Sequence, residues 1–497
     1  MSYSDYISSF PLESIAYSLK FFLTEITLSI GFVLLILSDL FLSASNKKWL
    51  WWQAMFGFVI VLILTISEHP PINQALFFGQ IVYRASTQFF QLFFIIPIIT
   101  VLIYQYFRGI STYTYTTKGE YYSFLFALLL GLNLMLKSNN FIMLFLSIEM
   151  VSIISYLLVA IEQKRKNLES SIKYLIFGAV SSSIMLYGIS WYYGLTGTFQ
   201  FQSLPMIHLG VMSIVVFFIV AGALFKLSIF PFHTWVPDVY EGTSSPILAL
   251  LSLLPKVAGI TIFCTILSHL VPNNILNSSE WIWKGLLLMV SLSILIGNFS
   301  ALLQENTKRM LAYSSIAHAG FLLIAILTPQ VVIGEILMVY LVAYFFANTA
   351  IFLIVDSLDT GHDGIKFEAY KGLGLKKPLL GILITIVLLS LSGLPPTIGF
   401  SAKFLVFAQL YKSYQQTADI FLLWMLIFIV LNTLISLFYY LKIPYYLFFK
   451  NIENKQTTEQ LNLNYWFFSI LIFPLILLFF MPQILVNLIN FIQQVKL

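Results

Sequence analysis

Charge is what this 497-residue chain most lacks. Asp, Glu, Lys and Arg make up 9% of it, against roughly 25% in a typical soluble domain. Length alone would suggest about three soluble domains, but 26 basic and 21 acidic residues are too few to coat them. Cysteine is nearly absent. Cys264 stands alone, which excludes an intrachain disulfide, a zinc finger and a cysteine-held iron–sulfur cluster. There is no Walker loop, dinucleotide glycine motif or nucleophile elbow, and the histidines are not spaced as a metal site. The net charge of +5 is spread thinly, so no basic patch for nucleic acid is expected. What is present is apolar: 59% hydrophobic and 17% aromatic residues. The solvent for this chain is lipid.

A bilayer core of roughly 30 Å needs about 20 apolar residues per helix. Fourteen runs meet that length: about 22–43, 49–67, 86–106, 119–136, 139–161, 169–193, 208–230, 244–268, 281–302, 309–328, 332–356, 378–410, 417–441 and 466–490. They are too continuous and too long for barrel strands, so the expected fold is an all-α polytopic membrane protein with about fourteen transmembrane helices. The first run lacks a Lys/Arg-rich leader and a small-residue cleavage site, so no cleavable signal peptide is expected. One set of loops carries sixteen basic residues, from Lys47 and Lys48 through Arg108, Lys164 to Lys166, Lys308 and Arg309 to Lys455; the other set, termini included, carries Lys20, Arg84, Lys137, Lys412 and Lys496. The rich side should be cytoplasmic, or its organellar equivalent, with both termini opposite.

The remaining five basic residues, Lys173, Lys226, Lys256, Lys284 and Lys403, fall inside the runs. A lysine at mid-bilayer costs about 2.5–3.5 kcal/mol on insertion scales, so it should face a polar cavity and have a partner. Lys284, beside Trp281 and Trp283, reads as a snorkelling interfacial residue, and Lys173, about one turn into its run, could snorkel or function. The other three adjoin helix breakers: Lys226 before Pro231, Lys256 after Pro255, and Lys403 after Gly393, Pro395, Pro396 and Gly399. Proline frees the carbonyl four residues back, and in lipid that carbonyl must be re-satisfied or line a wet cavity. A broken helix beside an ammonium is therefore a coherent polar site; an ion pair that merely pins helices is the structural alternative.

Glu149 sits near the middle of the fifth run and is equally costly unless paired with a lysine. His318, in the middle of the tenth, adds a group that titrates near neutrality. His233, Asp238 and Glu241 follow in PFHTWVPDVYEG (231–242), either as turn chemistry or as a proton entry funnel on the cytoplasmic side. Glu25 and Asp39, near the two ends of the first run, look interfacial. The fourth to eighth and ninth to thirteenth runs form two sets of five, each with a proline-broken fourth member bearing a lysine (Lys226; Lys403) and a second member with a central titratable group (Glu149; His318). Five is odd, so the sets enter from opposite sides, the inverted-repeat layout of transporters, here with broken helices 7 and 12. The expected divisions are 1–118 (helices 1–3), 119–268 and 281–441 (the two five-helix repeats), and 442–497 (helix 14).

Several segments carry a family resemblance: GALFKLSIFPFHTWVPDVYEG (222–242), then Pro255–Lys256, LFLSIEMVSIISY (144–156), KYLIFGAVSSSIMLYG (173–188), KRMLAYSSIAHAG (308–320) and GLPPTIGFSAKF (393–404). In order and position they resemble the antiporter-like membrane subunits of respiratory complex I, the NADH–quinone oxidoreductase, in particular those of subunit N type, equivalent to mitochondrial NADH dehydrogenase subunit 2. The resemblance spans about residues 20–440. It implies a proton-translocating membrane-arm subunit of a translocase. NAD and quinone are used by the whole complex, and no cofactor, metal or redox centre lies in this chain. It implies that Glu149 pairs with Lys226, that Lys256 is a central-axis lysine, and that Lys403 holds the helix-12 position. It further implies that Lys173 falls at a helix-6 lysine position and that His318 lies in the helix-10 segment. Opening the Glu149–Lys226 pair would drive a proton from Lys226 through Lys256 to Lys403. Implied partners are the other membrane-arm subunits, lipid and protons, in a bacterial inner membrane or, alternatively, the mitochondrial inner membrane. Two rival readings share the lysines: a subunit of a multisubunit sodium/proton antiporter, and a structural membrane-arm subunit without a channel.

Overall fold

The computed structural model describes residues 12–43, 46–68, 71–110, 118–201, 209–270, 280–327, 333–359, 366–450, 464–485 and 487. In lipid every backbone donor and acceptor must be satisfied within the segment, which leaves the helix as the form for long apolar runs. Accordingly the chain is helical almost throughout: α1 Leu12–Leu19, α2 Leu23–Phe41, α3 Trp49–Ser67, α4 Thr87–Arg108, α5 Gly119–Lys137, α6 Phe141–Ala160, α7 Arg165–Thr196 and α8 Leu209–Leu227. Then follow α9 Val236–Gly242, α10 Ser245–Leu251, α11 Leu254–Leu270, α12 Glu280–Leu302, α13 Thr307–Leu327 and α14 Ile333–Leu358. The last elements are α15 Leu373–Lys376, α16 Pro378–Ser392, α17 Ile398–Thr417, α18 Ile420–Phe449 and α19 Tyr465–Phe480. Polar side chains start several of them: Asn140 accepts from the Met143 amide at 2.7 Å, and Asp419 from the Phe421 amide at 2.9 Å, as N-caps do.

Among the described residues, eleven helices are long and apolar enough to cross a membrane, and three shorter apolar helices, Ser213–Leu227, Pro378–Ser392 and Tyr465–Phe480, accompany them. The centre of the bundle is α13, 94% buried along its apolar window, whereas α2 and α18 are only 22% and 28% buried. Their outward faces carry Leu40, Phe41, Trp424 and Phe438, all exposed. An apolar surface of that extent suits lipid rather than water.

The breaks fall where the prolines predict, with one shift. α8 ends at Leu227, four residues before Pro231, so Pro231 does not itself open the helix. The break instead begins at Ser228, whose φ is +61°, and a turn runs from there to Trp235 before α9. Ser252 and Leu253 separate α10 from α11, with Pro255 in the first turn of α11. The run 378–410 divides into α16 and α17 at residues 393–397. Lys226 closes the helix before its break, whereas Lys403 follows its break. A two-stranded hairpin, β1 Ala75–Leu76 and β2 Ile81–Val82, pairs Ala75 with Val82. It sits over the start of α2 and the end of α5: the Tyr83 hydroxyl donates to Phe21 O at 2.6 Å, and Ile81 bridges to Ser138.

Candidate functional site

α11 brings the first two lysines together. A Cβ added at Gly259 would lie 3.2 Å from Lys226 Cβ, so α8 and α11 touch there. Lys256, three residues earlier on α11, shares that helix face. Lys226, Lys256, Lys403 and His318 are 1%, 2%, 5% and 6% exposed. Lys226 Nζ has no hydrogen-bond partner among the described residues, and neither has Glu149 Oε1 on α6. The two groups act on each other electrostatically, yet they form no ion pair within 4 Å among the described residues. The two groups that the resemblance pairs are thus electrostatic neighbours without a direct contact.

Beyond Lys256, two separate hydrogen-bonded groups are anchored on α13. Lys256 Nζ donates to Ser315 O at 2.7 Å. Ser315 Oγ meets the Tyr240 hydroxyl at 3.2 Å, and Tyr240 stands on α9 between Asp238 and Glu241. On the same α13, Ser314 Oγ bonds the Tyr440 hydroxyl, which holds His318 Nε2 at 3.1 Å; His318 Nδ1 holds the Tyr340 hydroxyl at 2.8 Å. In a neutral imidazole one nitrogen donates and the other accepts, so His318 joins two hydroxyls of opposite role. Lys256 and Lys403 both act on it electrostatically.

The last gap is bridged by a cavity of about 10 Å³ lined by His318, Tyr340, Tyr344, Ser390, Gly399 and Lys403. That is room for about one water, and a water needs two to four polar partners, which this lining supplies. Lys403 Nζ donates to Ser392 O at 2.7 Å. Ser392 ends α16, and the last carbonyls of a helix have no intrahelical partner and carry partial negative charge. The break thus creates the acceptor that holds the ammonium, and the Phe321 ring lies 5.2 Å from Nζ. Gly393 makes the turn possible: its φ is +84°, and a Cβ there would come within 2.6 Å of the Lys403 stem.

Two expected members lie elsewhere. Lys173 is not on the line: its side chain is 41% exposed and pairs with Glu169 at 2.9 Å and Asp238 at 3.0 Å. The reason is position, since α7 begins at Arg165 and Lys173 faces the polar end of α9. His233 occupies the turn before α9, half-buried, its Nδ1 without a partner among the described residues. The segment 231–242 has no basic residue of its own, yet the fold supplies cations to it. Arg309 reaches Glu241 at 2.7 Å and Asp238 at 3.2 Å. Lys284 pairs with Asp419 at 3.5 Å, as an interfacial residue would. Among the described residues no cluster of His, Cys, Asp and Glu is suited to a metal ion.

Sequence reading missed the tyrosines and serines of the line. Tyr240, Tyr340 and Tyr440 look like interfacial aromatics, and only the doublet Ser314–Ser315 beside His318 was a visible cue. It also missed that Glu25 and Lys137 meet. Both are fully buried and joined as an ion pair.

Known proteins share the sequence pattern and the fold of this chain. Residues 138–436 match the family model described as NADH:quinone oxidoreductase/Mrp antiporter, TM. NADH-quinone oxidoreductase subunit N 2 of Chloroherpeton thalassium is 36% identical over 452 residues, 88% of this chain and 87% of that one. F(420)H(2) dehydrogenase subunit N of Methanosarcina mazei is 31% identical over 474 residues, 88% of this chain and 90% of that one. A chain of respiratory complex I from Thermus thermophilus superposes with a TM-score of 0.76 at 25% identity, covering 93% of this chain and 97% of that one. A chain of the archaeal membrane-bound sulfane sulfur reductase shares the fold at a TM-score of 0.78 and 21% identity, covering 95% and 97%. Buried lysines on broken helices, a family model over more than half the residues and full-length relatives agree: this chain belongs to the NADH:quinone oxidoreductase/Mrp antiporter transmembrane family.

Proposed function

We propose that the chain is a proton-translocating membrane-arm subunit of a quinone-reducing respiratory complex. One observation carries this reading: Lys256, His318 and Lys403, each nearly sealed from solvent, lie in one seam with Lys226 and Glu149 at its end. A structural ion pair would need no such series, and each buried ammonium is costly. The names of the relatives support the choice of complex. The seat of the complex would be a bacterial inner membrane.

Protons enter at α9, where Asp238, Glu241, Arg309 and Lys173 meet and Tyr240 points from that cluster to Ser315. Lys226, with Glu149 near and unbonded, is the switch. When the carboxylate closes on it the ammonium is held; when it withdraws, the proton passes to Lys256. His318 and the one-water cavity carry it to Lys403. Moving one charge against about 150 mV costs about 3.5 kcal/mol. A charge-assisted hydrogen bond is worth about 1.5–3 kcal/mol, so breaking one buried pair lowers the proton affinity of the lysine by an amount of the same order as that work. In this reading electrons pass in neighbouring subunits.

A sodium/proton antiporter subunit would share the seam, since the family model covers both kinds of complex. The test uses the purified complex in sealed vesicles. Proton uptake that starts on adding donor and quinone, and does not require sodium, supports the proposal. Proton movement driven by a sodium gradient without electron transfer would assign the antiporter reading instead.

A further inference from the structure

A second set of buried ionisable groups lies on the opposite face, outside the seam. Lys137 ends α5, and its ammonium is bound by both Glu25 on α2 and the Tyr83 hydroxyl after the hairpin. Lys137 and Glu25 are 0% exposed. Glu25 Oε2 has no hydrogen-bond partner among the described residues. Glu68, just past the end of α3, turns its Oε1 back to the Thr24 amide at 2.9 Å, and both Lys137 and Glu25 act on it electrostatically. Arg84 is committed elsewhere: its guanidinium donates to the carbonyls of Leu136 and Ser138 at 3.0 and 3.1 Å.

Arg84 adds a second cation nearby, but Lys137 is the cation that acts on Glu68. Two carboxylates, Glu25 and Glu68, share one ammonium, Lys137, and one neutral hydroxyl, Tyr83. An unpaired buried charge is expensive, and such a group takes up a proton instead. Burial is graded as well: Asn133, one turn deeper on the Lys137 face of α5, is fully buried with both side-chain polar atoms unpartnered among the described residues, whereas Glu68 is half-buried at the surface. The polar set is therefore more accessible at Glu68 than at Asn133.

The geometry points to a second proton-binding site in this chain, in which Glu68 takes a proton from, and returns it to, the face opposite the basic loops, with Lys137 and Glu25 setting its affinity. The step is the protonation of one carboxylate oxygen by water on that face and its reversal. It extends the proposed function and does not depend on it. In agreement, burial holds the Glu68 carboxyl above the ordinary glutamate range, opposed by Lys137 and by hydrogen bonding to Thr24 and reinforced by Glu25.

The test is an infrared pH titration of the assembled complex, following the carbonyl stretch of protonated carboxyl groups. Glu68→Gln should delete one band that titrates above the usual carboxylate range. Glu25→Gln removes a like charge and should lower the proton affinity of that band; Lys137→Met removes the cation and should raise it, each by about tenfold, the effect of a charge a few ångströms away. Opposite shifts establish the site. Loss of no band in Glu68→Gln, or no shift in Glu25→Gln, overturns it. Glu25→Gln decides alone if Lys137→Met does not assemble. Because the readout is spectroscopic, it is independent of pumping: a complex that fails to translocate protons but shows these shifts removes the function proposed above and leaves this site standing.

Discussion

Replacing Lys256 by Met separates a relay lysine from a structural one, because the two roles pull stability in different directions. Methionine has nearly the same length and fills irregular space well, so packing on α11 changes little. The substitution deletes the 2.7 Å bond to Ser315 O, worth about 1.5–3 kcal/mol as a hydrogen bond from a charged donor. Ser315 lies inside α13, where its carbonyl keeps its place in the helical ladder, so no acceptor is orphaned. Against that loss stands the cost of holding an ammonium in hydrocarbon, about 2.5–3.5 kcal/mol. The two nearly cancel, and the variant should unfold within a few degrees of the parent, or later. Function should behave otherwise. Lys256 is the ionisable step between Lys226 and His318, so protons moved per electron should fall by this subunit's whole share. The assays are the unfolding midpoint of the purified complex and proton uptake in sealed vesicles. A Lys256→Met complex that melts far earlier yet pumps at the parental ratio would refute the relay reading and make Lys256 an anchor.

Tyr440→Phe leaves Ser314 Oγ and His318 Nε2 each short of a partner; it should cost about 1–3 kcal/mol and slow turnover with an enlarged solvent isotope effect, and an unchanged isotope effect would remove Tyr440 from the route. Gly399→Ala would place a Cβ 1.8 Å from Ser390 O, a backbone atom that cannot move aside, so the α16–α17 break should not form and the subunit should be absent from the assembled complex on a denaturing gel. Gly194→Ala, where nothing lies within 4 Å of the added carbon, is the matched control and should assemble normally, gaining up to about 1 kcal/mol of helix propensity.

The helices were legible because lipid imposes a single backbone solution on long apolar runs, and each of those runs does carry helix. The lysines were legible because their cost makes them conspicuous. Less visible was where a helix stops: Pro231 announces the first break, yet the chain leaves the helix at Ser228. Pairing was hidden too. Nothing local says that Lys173 meets Asp238 across 65 positions, or that Glu25 finds Lys137 across 112. Both look like interfacial charges until the fold brings the hairpin over one and α9 beside the other. The uncharged members of the seam, Tyr240, Tyr340 and Tyr440, were invisible for a similar reason: a tyrosine in an apolar run is inexpensive, so its presence signals nothing until its hydroxyl is seen bonded to His318 or Ser315.

The central claim is that Lys226, under the electrostatic influence of Glu149, gates a proton line. It is tested most directly by counting protons per electron in vesicles containing the complex with Lys226→Ala. Electron transfer that continues with a lowered ratio is the predicted result. An assembled complex with the parental ratio would contradict the account.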